Sequence, residues 1–391
     1  MKVRHGLWYY CAVVEVVPTK RCSKCILTEQ AVPIGSDGVC LLCRSDDGVI
    51  HQPGEKPLIE ILERHRRRAR DRGAEYDCMV PVSGGKDSMY ALYALVTRYK
   101  MKPLAFNYSQ GFVEPQAAEN LEAGVRMLGV DLIRNTDNKN QHRYLRHNLK
   151  ALLKARHRQG RLADLLCTGC AAGYVEAADK AAKEHKISLI VQGGSPVEPF
   201  LNAYMTSDVR SIANSCTLSL VGQDMREFFG NLGLFVDPRY PMNLKHMGNI
   251  RNFVRRILPR TQRSSELERI HYFSYMPWDD RANTAELERM LSWRRPPGRS
   301  TTMRFDCRLH VLVDRFRILY QGFSEKEAIF SCMVRKKMLT REEALARARR
   351  ETAEDEQLVD RVIEEVVQVV GLEQRLPEIR RFWHAADVPG C

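Results

Sequence analysis

The chain has no apolar run long enough to cross a membrane. Its most hydrophobic N-terminal stretch, LWYYCAVVEVV at 7–17, falls well short of the ~20 residues a spanning helix needs. No small-residue cleavage site follows it, so it reads as a short strand or a loose start and not as a signal peptide. Internal repeats and low-complexity blocks are also missing, which argues against solenoid and tail-like architectures. A Walker A loop is absent too. In VSGGKDS the residue after Lys86 is Asp87, not Ser or Thr, and the upstream glycine is lacking.

What is present is an ordinary soluble composition over 391 residues, 44% hydrophobic and 28% charged, enough for two or three domains. A formal net charge of +13 favours an anionic partner: a nucleotide, a nucleotide-sugar, a membrane surface or a nucleic acid. The basic residues are spread over several segments, so charge alone does not choose among these. Twelve cysteines are plentiful, but six of them form C-x-x-C pairs at metal-ligand spacing. In a long chain that pattern points to a reducing cytoplasm, not to disulfides.

Three regions follow from the pattern: 1–50, an N-terminal segment with a cysteine module; 51–265, a strand–helix repeat; and 266–391, mainly helical. PLIEILERHRRRARDR reads as a helix, apolar in its first half and basic in its second. From residue 76, YDCMVPV, KPLAFNY, VDLIRN and ISLIVQ read as strands separated by helices near 88–99, 116–128, 141–157 and 171–184. This alternation predicts an α/β fold with a parallel sheet covered on both faces by helices. The ligand crevice is then expected at the strand C-termini, where Ser83, Asn107, Asn135 and Gly193 fall. RIHYFSYMPW reads as a strand or extended segment. Ser324 with Glu327, and Thr340 with Glu343, stand at capping-box spacing before helical runs.

In the cysteine module, Cys22, Cys25, Cys40 and Cys43 form C-x2-C-x14-C-x2-C. Two such knuckles bring four thiolates to one tetrahedral centre, suited to a structural Zn²⁺. Asp37 and Gly38 supply the turn before the second knuckle.

The stretch MVPVSGGKDSMYALYAL sets a strand, a small polar turn and an apolar-periodic helix in sequence. Ser83, Gly84, Gly85 and the amides that follow, through Ser88, can cradle phosphate oxygens at the helix N-terminus. Lys86 reads as a mobile surface cation that offers its positive charge to a leaving phosphate group. Asp87 is either a Mg²⁺ ligand or a helix N-terminal charge.

SGGKDS resembles the signature of the PP-loop, or N-type, ATP pyrophosphatases, an adenine nucleotide alpha hydrolase-like fold. The resemblance implies ATP cleavage between the α- and β-phosphates, with AMP placed on an amide or carbonyl oxygen. The four-cysteine module, the loop, a later CTGC, IVQGGSPVEPF, IHYFSYMPWDD and FSEKEAIFSCMVRKKMLTREEAL run from about residue 20 to 350 in an order similar to the N-acetyl sugar amidotransferase family. That likeness implies conversion of an acetamido group on an N-acetylated sugar or nucleotide-sugar to an acetamidino group, in surface-polysaccharide biosynthesis such as that of lipopolysaccharide. A separate glutaminase subunit would supply the ammonia, for this chain shows no glutaminase context of its own.

Cys167 and Cys170 sit at the mouth of a helix, where the dipole lowers thiol pKa values. Three readings stand open: a structural pair, iron–sulfur ligands, or a catalytic sulfur carrier. PP-loop enzymes of tRNA 2-thiolation have a similar pair that joins a third cysteine on a 4Fe-4S cluster. Here the third would be Cys307 or Cys216. The alternative function is therefore a sulfurtransferase acting on tRNA or a small molecule, and a second alternative is a non-catalytic RNA-binding module. Phe106 and Asn107 are expected near the adenine, or else as a buried strand end. Gly193, Gly194 and Glu198 line the pocket or form a tight turn. Arg294, Arg295, Arg299 and Arg304 either meet a sugar diphosphate or form a solvated face.

Overall fold

The structure, a computed structural model, describes residues 20–155, 158, 162–198, 229–243 and 266–384. The stretch 7–17, most of the segment 207–265 and Cys216 lie outside these residues.

Five parallel strands form one sheet: β1 (Cys78–Pro81), β2 (Pro103–Tyr108), β3 (Leu132–Asn135), β4 (Leu189–Gln192) and β5 (Glu268–His271), in the order β3-β2-β1-β4-β5. Strands β1, β2 and β4 are buried almost along their whole length, as their continuous apolar runs require when helices cover both faces. Alternation assigns the faces. Cys78, Val80 and Val82 enter the core that holds Met89, Leu92 and Leu95 of α3 (Lys86–Thr97), with Leu121 and Val125 of α4 (Pro115–Leu128). Met79, Leu104, Phe106 and Ile190 point the other way, onto Ala178, Ala181 and Ala182 of α6 (Thr168–Glu184). The edge strand β3 is only half-buried and carries the more polar sequence LIRN.

The chain builds outward from β1 to β3, then returns to lay β4 on the other side of β1. Strand order reverses there, so a crevice opens between the C-terminal ends of β1 and β4. The RIHYFSYMPW segment supplies the fifth strand, just past residue 265. The sheet thus takes in the start of the region read as helical.

Around the sheet stand α1 (Leu41–Ser45), α2 (Glu55–Asp71) and α5 (Lys139–Lys154). C-terminal to it come α7 (Asp280–Leu291), α8 (Leu309–Gln321), α9 (Glu325–Arg335), α10 (Arg341–Glu356), α11 (Val359–Val370) and α12 (Leu376–His384). Both expected capping boxes form, starting α9 and α10. Residues of α5, α8, α11 and α12 make a second core around Leu149, Phe316, Val366 and Trp383.

The cysteine module packs on α9 and α10. Ile26 N donates to Ser331 Oγ at 3.2 Å, and the Arg341 guanidinium donates to the carbonyls of Cys22 and Cys25. Asp46 pairs with Arg335 and Lys336. No helix among the described residues is long and apolar enough to cross a membrane.

Candidate active site

The turn 83–88 is closed by its own hydroxyls. Ser83 N donates to Ser88 Oγ, Gly85 N donates to Ser83 Oγ, and Ser88 Oγ donates to the Gly85 carbonyl at 3.0 Å. Gly84 has φ +84°, and a Cβ there would lie 1.8 Å from the Ala117 carbonyl oxygen. Both conformation and space therefore demand glycine. Gly193 meets the same kind of limit for another reason. A Cβ on it would sit 2.3 Å from the Asp87 carbonyl oxygen and 2.5 Å from Ser88 Cα, so the exit of β4 presses on the start of α3.

Lys86 was expected as a mobile surface cation. It is 1% exposed. Its Nζ lies 2.6 Å from Asp87 Oδ1 and 3.4 Å from Asp280 Oδ1, and 4.6 Å from the ring centre of Trp278. Trp278 Nε1 donates to Asp87 Oδ1 at 2.7 Å. Asp280, in the first turn of α7, also accepts from Thr302 Oγ1 at 2.8 Å and pairs with Arg347 of α10 at 2.7 Å. Burial pushes the Asp87 carboxyl above its usual range despite Lys86. Burial pushes the Asp280 carboxyl up as well, but Lys86 and Arg347 outweigh it and hold it low. Trp278, Asp280, Thr302 and Arg347 are the residues that sequence reasoning missed. The signal for Trp278 and Asp280 was MPWDD, read for its family likeness and not for its chemistry; Thr302 and Arg347 gave none.

The turn forms one wall of a crevice of about 440 Å³, within the range of a small-molecule site. Ser83, Gly85, Lys86, Asp87, Ser88, Phe106, Gly193, Gly194 and Glu198 line it. Asn107 does not. Its Nδ2 donates to the Val82 carbonyl at 2.7 Å and ties β2 to the end of β1. Of the four candidate arginines only Arg304 reaches the crevice, where it meets Glu198 and Glu325, each at 3.2 Å. Arg299 is buried against Asp355, and Arg295 pairs with Glu288 at the surface.

Three thiols share the crevice with the turn. Cys167 ends a 3₁₀ turn (Leu162–Cys167), Cys170 lies in the first turn of α6, and Cys307 precedes α8 and bridges Val113. All three line the crevice. The helix N-terminus does not lower their pKa values. Burial pushes Cys167 up to about 12 and Cys307 up to about 11, and holds Cys170 well above its ordinary value. Cys307 adds to the shift at Cys167 and Cys170, and the charge of Asp306 adds to that at Cys307.

The two groups of cysteines differ in spacing. The ligand sulfurs of Cys22, Cys25, Cys40 and Cys43 all lie within 4.8 Å of one another, with contacts of 3.8 and 3.7 Å. Four thiolates ~2.3 Å from a tetrahedral zinc stand ~3.8 Å apart, so the donor set fits that ion. No other group of His, Cys, Asp and Glu among the described residues gathers so closely. Cys167, Cys170 and Cys307 do not form such a group.

No family model matches the chain. An uncharacterized protein of Methanocaldococcus jannaschii is 27% identical over 116 residues, which make up 29% of this chain and 41% of that protein. The matched stretch thus spans less than half of the relative's length. Among solved structures, the U34-tRNA thiolase NcsA from Methanococcus maripaludis, with its 4Fe-4S cluster, aligns over 95% of this chain and 90% of its own. It does so at 14% identity and a TM-score of 0.32, a likeness too slight to build on.

Proposed function

We propose that the chain is an ATP-dependent enzyme of the PP-loop kind that adenylates an amide or carbonyl oxygen and passes sulfur to the activated carbon. The observation that carries this reading is the shared crevice. The turn 83–88 with Lys86 lines the same cavity as Cys167, Cys170 and Cys307.

An amide carbon is a poor electrophile, and its oxygen a poor leaving group. Transfer of AMP to that oxygen with loss of pyrophosphate forms a C–O–P linkage. Attack by hydrosulfide on the carbon then breaks the C–O bond, and AMP departs with the original oxygen. The amides and hydroxyls of Ser83–Ser88 would bind phosphate oxygens. Lys86 would shift from Asp87 and Asp280 toward the pyrophosphate as negative charge builds there. The two carboxylates beside it are of the type that holds Mg²⁺ alongside phosphate oxygens. Cys167, Cys170 and Cys307 would hold an iron–sulfur cluster whose chemistry is to carry inorganic sulfide. Cys22, Cys25, Cys40 and Cys43 would hold a structural Zn²⁺ remote from the reaction.

A second reading keeps the same activation and replaces hydrosulfide with ammonia from a glutaminase partner, giving an acetamidino sugar. What favours it is that IHYFSYMPWDD, a segment similar to the N-acetyl sugar amidotransferases, brings Trp278 and Asp280 onto the loop. Anaerobic purification followed by iron and acid-labile sulfide analysis separates the two. Iron and sulfide that disappear in Cys170→Ser support sulfur transfer. Iron-free protein that makes an amidine from ammonia, ATP and an acetamido sugar overturns it.

A further inference from the structure

An ion-pair chain that ends in the crevice is out of balance. Arg304 meets Glu198 Oε2 through Nη1 and Glu325 Oε1 through Nε, each at 3.2 Å. Glu325 pairs in turn with Arg317 at 2.8 Å, and Arg317 with Asp164 at 2.7 Å. His310 Nε2 lies 2.8 Å from Arg304 Nη2. A guanidinium only donates, so that ring nitrogen accepts and carries no proton. Among the described residues the chain therefore sets three carboxyl groups against two guanidinium groups.

The surplus falls on Glu198. Asp164 keeps 26% of its side-chain exposure and is solvated. Burial pushes the Glu325 carboxyl up, but Arg304 and Arg317 outweigh it and hold it well below its ordinary value. Glu198 has Arg304 alone, and its Oε1 has no hydrogen-bond partner among the described residues. Its side chain lines the same crevice as the turn 83–88 and keeps 11% of its exposure. Arg304, which grips it, stands at φ +45°, a strained conformation of the kind that clusters at functional sites. The charges that act on Glu198 are those of Arg304 and Asp306 before α8, Asp87 of α3 and Glu325 of α9. Burial first, then Asp87, Glu325 and Asp306, push its carboxyl up to about 7 against Arg304.

We infer that Glu198 is a catalytic residue, the proton shuttle for the acceptor amide, and that Arg304 is the positioning residue that holds it. The inference rests on the reading of the site as one that adenylates an amide oxygen, and it supplies the fate of the amide proton. As the oxygen bonds the α-phosphorus, pyrophosphate leaves with the electron pair of the broken P–O bond, and Glu198 takes the N–H proton. The adduct is then an imidate with a C=N bond. When hydrosulfide adds to its carbon, Glu198 returns the proton to the nitrogen. The C–O bond breaks, AMP leaves with that electron pair, and the S–H proton passes to solvent as C=S forms. One group serves as base and then as acid when both its forms are accessible at one pH.

The test uses the full chain, purified anaerobically, with ATP, Mg²⁺ and either hydrosulfide or ammonium. Two secondary amides serve as acceptor probes, N-acetylglucosamine 1-phosphate and 2-pyrrolidinone. The parent rate of AMP formation is expected to rise about 10-fold per pH unit up to about pH 7 and to level off above it. In Glu198→Gln the rate falls at least about 100-fold and loses that profile. Its affinity for α,β-methylene-ATP is unchanged, and its unfolding temperature at neutral pH is no lower than the parent's. Formate restores part of the rate lost in Glu198→Ala, which a merely structural carboxyl would not allow. A parent-like rate and profile in Glu198→Gln overturns the inference while the adenylation reading stands. So does a lowered unfolding temperature in that variant, or a loss in Glu198→Ala that formate leaves in place. ADP in place of AMP, or no turnover of either amide, overturns the reading and the inference together.

Discussion

The molecule carries cysteines in two arrangements that were built in opposite ways. The N-terminal four come from two short knuckles within 22 residues, and their sulfurs meet within 4.8 Å. The crevice three come from a 3₁₀ turn, a helix start and a segment 137 positions beyond Cys170, and they line one crevice only because the fold brings these elements together. Local spacing is enough to specify a single-ion site. A site at a strand-order reversal is specified by the whole fold. The difference teaches where each would fail: the first through its metal, the second through its charges.

Removing the proposed zinc from the four-cysteine module should be the largest perturbation, since structural zinc supplies about 10–16 kcal/mol of apparent folding energy in small modules. Chelation should release one zinc per chain and abolish hydrogen-exchange protection across 20–45. Strands β1–β5 should stay protected. Loss of protection in both places at once would erase the distinction between the two arrangements.

Lys86→Ala comes next. It leaves Asp87 without a cation and Asp280 with Arg347 alone, which costs about 3–5 kcal/mol for a broken buried pair. It should also lower AMP formation by at least about 100-fold. Unfolding curves and product analysis read the two effects separately. Parent-like stability would mean that Lys86 is not held as described.

Glu198 tests the charges of the crevice through pH. Burial raises its carboxyl to about 7, with Asp87 and Glu325 adding to the shift and Arg304 opposing it. A carboxyl raised above its unfolded value contributes stability that is complete below the unfolded value and is lost as pH rises through about 7. Glu198→Gln keeps the uncharged shape at every pH. It should match the parent near pH 4 and exceed it by about 3 kcal/mol at pH 9. A pH-independent difference would contradict this. The smallest effect on stability is expected from Cys307→Ser. It should lose iron and sulfide, keep zinc, and shift stability by no more than about 1 kcal/mol.

Much of the fold was legible because its signals are local. Apolar runs with turn glycines marked the strands, and Ser324 and Thr340 with their glutamates marked two helix starts. The turn 83–88 between strand and helix was legible for the same reason, and so was the gathering of the four N-terminal cysteines. Burial was not. Lys86 reads as a surface cation from its neighbours in sequence, whereas Trp278 and Asp280, some 190 positions away, enclose it. Cys167 and Cys170 read as acidic thiols from their helix position, yet desolvation reverses the sign. Glu198 reads as a pocket or turn residue, and its unbalanced charge shows itself only once the ions around it are counted.

The central claim is that the turn 83–88 directs adenylate, not the terminal phosphoryl group, onto an acceptor in a crevice shared with three thiols. The most direct measurement is product analysis of ATP turnover by the anaerobically purified protein with candidate amide acceptors. AMP and pyrophosphate in equal amounts, dependent on acceptor and lost in Lys86→Ala, is the predicted result. Release of ADP and inorganic phosphate would contradict it.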